Sequence, residues 1–247
     1  CIACRKGKPN CCVAIKVLGV HIDGALCEEI VVPAGNLYPA GGLSLEAAAT
    51  VEFLAIGAHA VRRAQAPQQS RSLVIGAGPI GLGTAFFSRI AGHEVTLLDT
   101  STERLAMASE RFGFSGVLAD ENAAAALAVP VQGEGFDVVF DATGHAGSME
   151  TAFSYVAHGG TLVFVSVVKD AICFSDPEFH KREMTLVGSR NATAEDFHHV
   201  VASIAAGRVP VEALVTHRTT LDAVPADLVR WATQKHGLIK AVVNVSG

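Results

Sequence analysis

The sequence predicts an α/β protein built on a doubly wound parallel sheet of six strands. After residue 69, short apolar runs alternate with segments of helical spacing, and the apolar runs show no polar alternation. Such runs are typical of strands that helices cover on both faces. A glycine-rich turn, Gly76-Ala-Gly-Pro-Ile-Gly81, joins the first run to the first helix. Because βαβ crossovers are right-handed, strands connected in this way become parallel neighbours in one sheet.

The expected elements follow one another along the chain. The strands are Leu73–Gly76, Glu94–Leu98, Gly116–Ala119, Asp137–Asp141, Thr161–Val167 and Met184–Gly188. The helices between them are Gly81–Ala91, Thr102–Phe112, Glu121–Ala128 and Gly147–Ala157. Residues 13–50 hold short apolar runs broken by Gly and Pro, which indicates a compact β unit, and Ser44 is placed to cap a helix. The C-terminal elements are helices at Ala194–Ala206 and Pro225–Lys235 and a strand at Ala241–Val245.

The glycine-rich turn has the spacing that pyrophosphate binding requires. Gly76 allows the tight turn, Gly78 lets the backbone approach a pyrophosphate, and Gly81 lets the helix pack closely on the strand. The helix N-terminus adds unpaired N–H groups and a partial positive charge. Asp99 ends the next strand, eighteen residues beyond Gly81, where a carboxylate would meet the ribose hydroxyls of NAD. This register favours dinucleotide binding over an ordinary βα turn closed by an acidic residue.

The first twelve residues contain four of the six cysteines. Cys1, Cys4 and Cys12 have a spacing typical of thiolate ligands, and structural zinc is tetrahedral. Cys11 could be the fourth ligand, although adjacent residues rarely face one ion; a cysteine three residues before Cys1 would also complete the set. The alternative is a loop of reduced cysteines. Clustered cysteines indicate a reducing, intracellular setting and hence the cytoplasm.

Composition narrows the classes of partner. The 247 residues carry a net charge of −5 with a pI near 6.1 and no basic run, so nucleic acid is not an expected partner. No apolar segment is long enough to cross a membrane without an interrupting Gly, Pro or charge. Cys27 and Cys173 are expected to be buried thiols.

Glu52 interrupts an otherwise apolar helical segment. A carboxylate in that position must be paired, solvated through a cleft or bound to a metal. The alternatives are therefore a metal ligand and a plain buried ion pair.

Taken together, the chain resembles the zinc-containing medium-chain dehydrogenases, which include alcohol, sorbitol and threonine dehydrogenases. The most specific matches in the first part are Cys1-x2-Cys4-Arg5-x-Gly7-x2-Asn10-x-Cys12, Gly19-Val20-His21-x-Asp23-Gly24, Val32-Pro33-Ala34, and Glu52 with Ala58-His59-Ala60. The later matches are Gly76–Gly81, Asp99 with Glu103-Arg104-Leu105, Asp141-Ala-Thr-Gly144, Gly159-Gly160-Thr161, Gly188-Ser189-Arg190 and Val215-Thr216-His217-Arg218. Glu52, where the ethanol branch has a cysteine, makes the chain most similar to the polyol and sugar-acid branch.

The resemblance implies two domains. Residues 55–190 would form an NAD-binding Rossmann domain, and residues 1–54 and 191–247 would form a GroES-like β catalytic domain. This catalytic domain would be incomplete, because the family's first two catalytic-zinc ligands and its first structural cysteine precede Cys1. Glu52 would be the catalytic-zinc ligand present, either directly or through water. Phe53 replaces the proline that usually follows it.

The resemblance also implies the reaction. The protein would be a zinc-dependent oxidoreductase that transfers a hydride from a secondary alcohol, a polyol or sugar acid, to NAD, with zinc as Lewis acid. Cys1, Cys4 and Cys12 would bind structural zinc. Asp99 favours NAD over NADP, although Arg104 lies one turn further along. The expected cofactor contacts are Gly76, Gly78, Pro79, Ile80, Gly81, Asp99, Arg104, Ala142, Thr143, Gly144, Val165, Ser166, Ser189, Arg190 and Lys240. The family pattern further implies a homodimer or homotetramer joined along the Met184–Gly188 strand.

Other functions agree less well with the residues. A zinc-free, quinone-reductase-like member of the superfamily usually lacks both the cysteine cluster and the glutamate. A short-chain dehydrogenase needs a Tyr-x3-Lys pair, and neither Tyr38 nor Tyr155 has a lysine four residues on. A methyltransferase also has a glycine-rich first turn, but Gly81 and the βαβαβ second half favour a dinucleotide. A nucleotide-binding module without catalysis is the non-enzyme alternative.

Overall fold

The computed structural model describes residues 1–234 and 236–245. The strands are β1 (Arg71–Ile75), β2 (Glu94–Asp99), β3 (Ser115–Leu118), β4 (Phe136–Asp141), β5 (Val156–Phe164), β6 (Thr185–Gly188), β7 (Val215–Thr220) and β8 (Lys240–Asn244). The α-helices are α1 (Ile2–Arg5), α2 (Leu45–Ala48), α3 (Val51–Ala64), α4 (Pro79–Ile90), α5 (Thr102–Phe112), α6 (Ala123–Ala128), α7 (Ala146–Ala152), α8 (Asp176–Lys181), α9 (Ala194–Ala205), α10 (Val211–Leu214) and α11 (Val224–Thr233). They form two compact units, residues 1–51 with 193–247 and residues 52–192. Lys235, the expected end of the last helix, lies outside the described residues.

The unit of residues 52–192 contains the predicted six-stranded parallel sheet, which is thereby confirmed. Its strand order is β3-β2-β1-β4-β5-β6, and every neighbouring pair is parallel. The order reverses direction between β1 and β4, so the connections leave these two strands toward opposite faces. In sheets of this kind a crevice opens at the carboxyl ends of the strands at such a switch point.

The core of this unit explains why the central strands are apolar without alternation. Leu73 in β1 and Val139 in β4 have no solvent exposure, because helices cover both faces of the sheet. Helix α4 buries Phe86 and Phe87. The backbones of α3 and α4 are in direct contact, since a Cβ atom on Gly57 would lie 2.4 Å from the backbone nitrogen of Thr84.

The ends of α5 agree with the sequence prediction because local chemistry defines both of them. The Ser101 hydroxyl accepts a hydrogen bond from the Arg104 N–H at 3.3 Å, and Gly113 follows the helix with φ +66°. A short polar N-cap and a left-handed glycine are strong helix boundaries.

The start of β5 differs from the prediction. The strand begins at Val156 rather than Thr161, and α7 ends at Ala152 rather than Ala157. The β4–β5 register shifts between Phe136 and Val138, so the strand continues through Gly159-Gly160, a pair that reads as a break in the sequence. Only the pairing with β4 shows that Val156 and Ala157 belong to the sheet.

The prediction of short β-strands within residues 13–50 is wrong for this described segment. It contains turns, an isolated bridge between Leu18 and Ile22, and α2, which the Ser44 hydroxyl caps as expected. Val31 is 99% exposed there, and this described segment offers no sheet against which its apolar side chain could pack. Strands need partners for their backbone groups, and apolar alternation alone does not supply them.

In the unit formed by residues 1–51 and 193–247, the part after residue 192 contains a second sheet. β7 and β8 form a parallel two-stranded sheet, and β8 confirms the strand expected near the C-terminus. Thr193 and Asp196 form a capping box at the start of α9. None of the helices in the described part of the chain is long and apolar enough to cross a membrane.

Candidate functional site

The glycine-rich turn has the backbone geometry that its sequence predicts. Gly76 has φ +97°, and its N–H donates to the Leu98 carbonyl oxygen at 2.7 Å. A Cβ atom on Gly81 would lie 1.6 Å from the Gly76 carbonyl oxygen, so α4 packs against the turn at a distance that only glycine allows. Gly78 is the N-cap of α4, and no atom lies within 4 Å of where its Cβ would be. Open space therefore lies beside the N-cap of α4, at the helix end where backbone N–H groups lack intrahelical acceptors.

A cavity of about 610 Å³ lies at the carboxyl ends of β1, β2 and β4. This volume is within the usual range of cofactor sites, roughly 300–1,000 Å³. The expected cofactor contacts among its lining residues are Gly76, Gly78, Asp99, Arg104, Ala142 and Thr143. The turn, the acidic residue and the loop after β4 thus line one crevice, which fits the size and the polar groups of a dinucleotide.

Asp99 has two structural partners in addition to its place on the cavity wall. Its Oδ2 accepts a hydrogen bond from the Ala77 N–H at 2.6 Å, and its Oδ1 accepts one from the Ser101 N–H at 2.8 Å. The Arg104 Nη1 lies 3.7 Å from the same Oδ2. A carboxylate can accept about four hydrogen bonds. Asp99 therefore joins the glycine-rich turn to the end of β2 and keeps capacity for ribose hydroxyls.

The other expected contacts do not line the cavity. Pro79, Ile80 and Gly81 form the first turn of α4. The residues after β4, β5 and β6 are Gly144, Val165, Ser166, Ser189 and Arg190, all at the same edge of the sheet. The Gly144 N–H donates to the Ser166 hydroxyl at 2.8 Å, and the Ser189 N–H donates to the Phe164 carbonyl at 2.9 Å. Lys240 begins β8 in the other compact unit, and its contact with a cofactor stays a prediction.

Six further polar or aromatic residues line the cavity and are not among the contacts expected from the sequence. They are Thr100, Asp120, His145, Ser148, Thr151 and Tyr155. Thr100 and Asp120 follow β2 and β3 within two residues. Their position at the carboxyl ends of predicted strands could therefore have indicated them as site residues. Tyr155 reaches the cavity from beyond α7, and no local pattern indicates that.

The cysteine cluster is brought together as the spacing predicts. The Sγ atoms of Cys1, Cys4 and Cys12 lie within 4.8 Å of one another, and those of Cys1 and Cys4 are 3.6 Å apart. Zn–S bonds of about 2.3 Å in a tetrahedron place sulfurs about 3.8 Å apart, so the three thiols fit a zinc ion. Cys11 is exposed and does not belong to the cluster.

Local structure explains this arrangement. Helix α1 begins directly after Cys1, which places the side chains of Cys1 and Cys4 on one side. A hydrogen bond from the Ala14 backbone lowers the pKa of the Cys12 thiol below its ordinary value. The thiolate is the form that binds a metal.

Glu52 is exposed in the first turn of α3. Among the residues that the structure describes, no cluster of potential metal ligands includes it. Its role at a catalytic zinc therefore stays a prediction.

The prediction of two buried thiols at Cys27 and Cys173 is wrong. Cys27 is half-buried and its Sγ lies 3.1 Å from the Glu29 carbonyl oxygen, while Cys173 is exposed. Neither residue lies in a described helix or strand.

Comparisons with known proteins agree with this geometry. The zinc-binding dehydrogenase family matches residues 79–206. The L-galactonate-5-dehydrogenase of Escherichia coli K12 is 42% identical over 247 residues, which is 99% of this chain and 72% of that protein. The D-altritol 5-dehydrogenase of Agrobacterium fabrum is 32% identical over 92% of this chain and 71% of its own length.

A solved structure shows the same fold. An alcohol dehydrogenase from Escherichia coli CFT073, complexed with NADH, superimposes with a TM-score of 0.91 at 24% identity and covers 99% of this chain and 73% of its own. These likenesses do not favour the zinc-free or the non-catalytic alternative. The chain therefore belongs to the zinc-binding dehydrogenases of the medium-chain alcohol and sorbitol dehydrogenase family.

Proposed function

We propose that this protein oxidises a secondary alcohol of a six-carbon sugar acid or polyol and transfers the hydride to NAD. The observation that carries the proposal is the crevice in which the Gly76–Gly81 turn and the Asp99 carboxylate share one cavity. The names of the two relatives specify oxidation at carbon 5 of an aldonic acid and of a polyol. In a six-carbon chain this carbon carries a secondary hydroxyl group.

The two compact units would have different roles in the reaction. We assign NAD binding to residues 55–190 and the catalytic part to residues 1–54 and 191–247. The position of the cavity wholly within residues 52–192 supports this assignment.

The residues of the chain would bind and orient the reactants. When bound, a catalytic zinc supplies a Lewis acid for the alcohol, and NAD accepts the hydride. The α4 N-terminus would bind the pyrophosphate, and Asp99 would accept hydrogen bonds from the adenosine ribose. The backbones of Val165 and Ser189 would orient the carboxamide, and Glu52 would contact the metal. Fixing the reacting carbons in this way lowers the barrier through orientation.

Asp99 would favour NAD because a 2′-phosphate would meet its negative charge. A homodimer or homotetramer would form along β6, which is an edge of the sheet with three exposed residues, Thr185, Leu186 and Gly188. Edge strands offer unpaired N–H and C=O groups to a second strand. A cytoplasmic location stays a prediction.

An activity assay tests the proposed reaction. We expect the zinc-loaded, full-length protein to form NADH from six-carbon sugar acids or polyols such as L-galactonate or D-altritol, and a chelator of zinc to abolish this. Ethanol is the control for a primary alcohol and should give at least about tenfold lower kcat/KM, since the binding energy of the remaining hydroxyls is absent. NADH binding without turnover of any secondary alcohol would instead support a non-catalytic module.

We also expect Cys4→Ser to lose about one zinc ion per chain, since a hydroxyl is a poor ligand in a closed thiolate site. Zinc content by elemental mass spectrometry checks this, together with the thermal midpoint, which should fall because structural zinc stabilises its loop. Cys11→Ser is the matched control and should keep the wild-type zinc content. Equal zinc in Cys4→Ser and the wild type would show that the cluster is a loop of reduced cysteines.

A further inference from the structure

A fully buried carboxylate lies behind the wall of the nucleotide cavity. Asp141 ends β4 with no solvent exposure and does not itself line the cavity. Its Oδ1 accepts hydrogen bonds from the Thr143 N–H at 3.0 Å and the Thr143 hydroxyl at 2.8 Å. Its Oδ2 accepts one from the Ser148 hydroxyl at 2.6 Å. Thr143 and Ser148 both line the cavity, so Asp141 touches the site through them.

These bonds hold the loop between β4 and α7 in one conformation. The Thr143 hydroxyl accepts the His145 N–H at 3.2 Å, and the Gly144 N–H donates to the Ser166 hydroxyl at 2.8 Å. The backbone N–H groups of residues 143–145 thus all have acceptors within the protein. The loop cannot move toward the cavity without breaking the bonds from Thr143 to the buried Asp141 carboxylate, and leaving that carboxylate unpaired is unfavourable.

The same loop is in contact with the pyrophosphate turn. A Cβ atom on Gly76 would lie 3.3 Å from the Ala142 carbonyl group and 3.3 Å from the Thr143 Cγ2 atom. A displacement of the loop would therefore press on Gly76 or leave a gap beside it. The loop that contacts Gly76 is thus the same loop that bonds to Asp141.

We propose that Asp141 is a positioning residue for the dinucleotide, which it serves by fixing Thr143 and Ser148 on the cavity wall and the loop against Gly76. The inference rests on the proposed function, because it takes this cavity as the NAD site. An ionised carboxylate only accepts hydrogen bonds, and all three of its partners here are donors. An amide in its place would direct an NH₂ group either at the Thr143 donors or at the Ser148 hydroxyl, which would then have to accept a hydrogen bond instead of donating one.

NADH titration of the zinc-loaded protein tests the inference. We expect Asp141→Asn to raise the Kd for NADH by about tenfold or more, which corresponds to about 1.4 kcal/mol or more. Asp137→Asn is the matched control, because Asp137 lies on the same strand and accepts hydrogen bonds from Arg71 at 2.7 and 3.3 Å. Asp137 does not line this cavity. The Kd of Asp137→Asn for NADH should therefore stay within about twofold of the wild type, while the thermal midpoint of this variant falls.

Two further variants keep the test decisive if Asp141→Asn does not fold. Thr143→Val and Ser148→Ala each remove one donor and should each raise the Kd by about threefold. In the double variant of Asp141→Asn with Thr143→Val, the fold increase in Kd should be smaller than the product of the two single-variant increases, because both substitutions remove the same contact. A wild-type Kd in a folded Asp141→Asn, or in both hydroxyl variants, would overturn the inference. Failure of the wild-type protein to bind NADH would overturn the proposed function itself.

Discussion

Replacing Gly81 by alanine is expected to abolish NADH binding and to lower the free energy of unfolding by about 3 kcal/mol or more. The added methyl carbon would lie 1.6 Å from the Gly76 carbonyl oxygen and 2.8 Å from its carbonyl carbon. Both neighbours are backbone atoms of the turn, so no side chain can rotate away. Helix α4 would have to move off β1 and take the pyrophosphate-binding N–H groups with it. Urea denaturation and NADH titration measure the two effects.

Alanine substitutions at two other glycines of the same segment distinguish the effect on helix packing from the effect on NADH binding. Gly83→Ala should keep or raise stability, because its Cβ would lie 3.5 Å from the Phe53 carbonyl oxygen and alanine is the better helix former by about 1 kcal/mol. Gly78→Ala has open space and an ordinary φ of −74°, so it should fold normally but bind NADH more weakly. Wild-type stability in Gly81→Ala would contradict the close helix packing, and wild-type NADH affinity in Gly78→Ala would contradict the pyrophosphate position.

The second large effect concerns the choice of dinucleotide. We expect Asp99→Asn to lower the preference for NADH over NADPH by about tenfold or more, because a like-charge contact costs several kcal/mol and the variant removes it. The amide can accept only one of the two N–H groups, from Ala77 and Ser101, that the carboxylate now accepts. Stability should therefore fall by about 1–3 kcal/mol. Titration with each reduced cofactor and urea denaturation check both parts.

Asp120→Asn is the control for Asp99. Asp120 lines the same cavity, and its Oδ1 accepts the Asn122 N–H at 2.8 Å. Its substitution should leave the cofactor preference within about threefold of the wild type. An equal change in both variants would mean that the total charge of the cavity, rather than Asp99, selects the cofactor.

Much of the fold was predictable because its signals are local. The apolar runs of β1 and β4 indicate strands covered on both faces, and Ser101 and Gly113 mark the ends of α5. The start of β5 was not predictable, because the extra residues Val156 and Ala157 join the strand only through a shifted register with β4. The strands expected within residues 13–50 failed for the related reason that a strand depends on a partner distant in sequence.

The candidate site was also predictable only in part. The spacing of Gly76, Gly78 and Gly81 and the offset of Asp99 predicted a dinucleotide site, and the structure places Gly76, Gly78 and Asp99 on one cavity. Ser148 was not predictable as a site residue, because its place on the cavity wall and its bond to Asp141 arise only in the folded chain. No sequence pattern marks that bond.

The sequence by itself determined the glycine-rich turn, the acidic end of β2 and the clustering of Cys1, Cys4 and Cys12, since each follows from short-range spacing on a helix or strand end. The tertiary structure decided what holds those parts in place: the second role of Asp99 at the Ala77 N–H and the buried carboxylate of Asp141 behind the cavity. The reason is physical, because burial and hydrogen-bond partners arise only when segments distant along the chain come together.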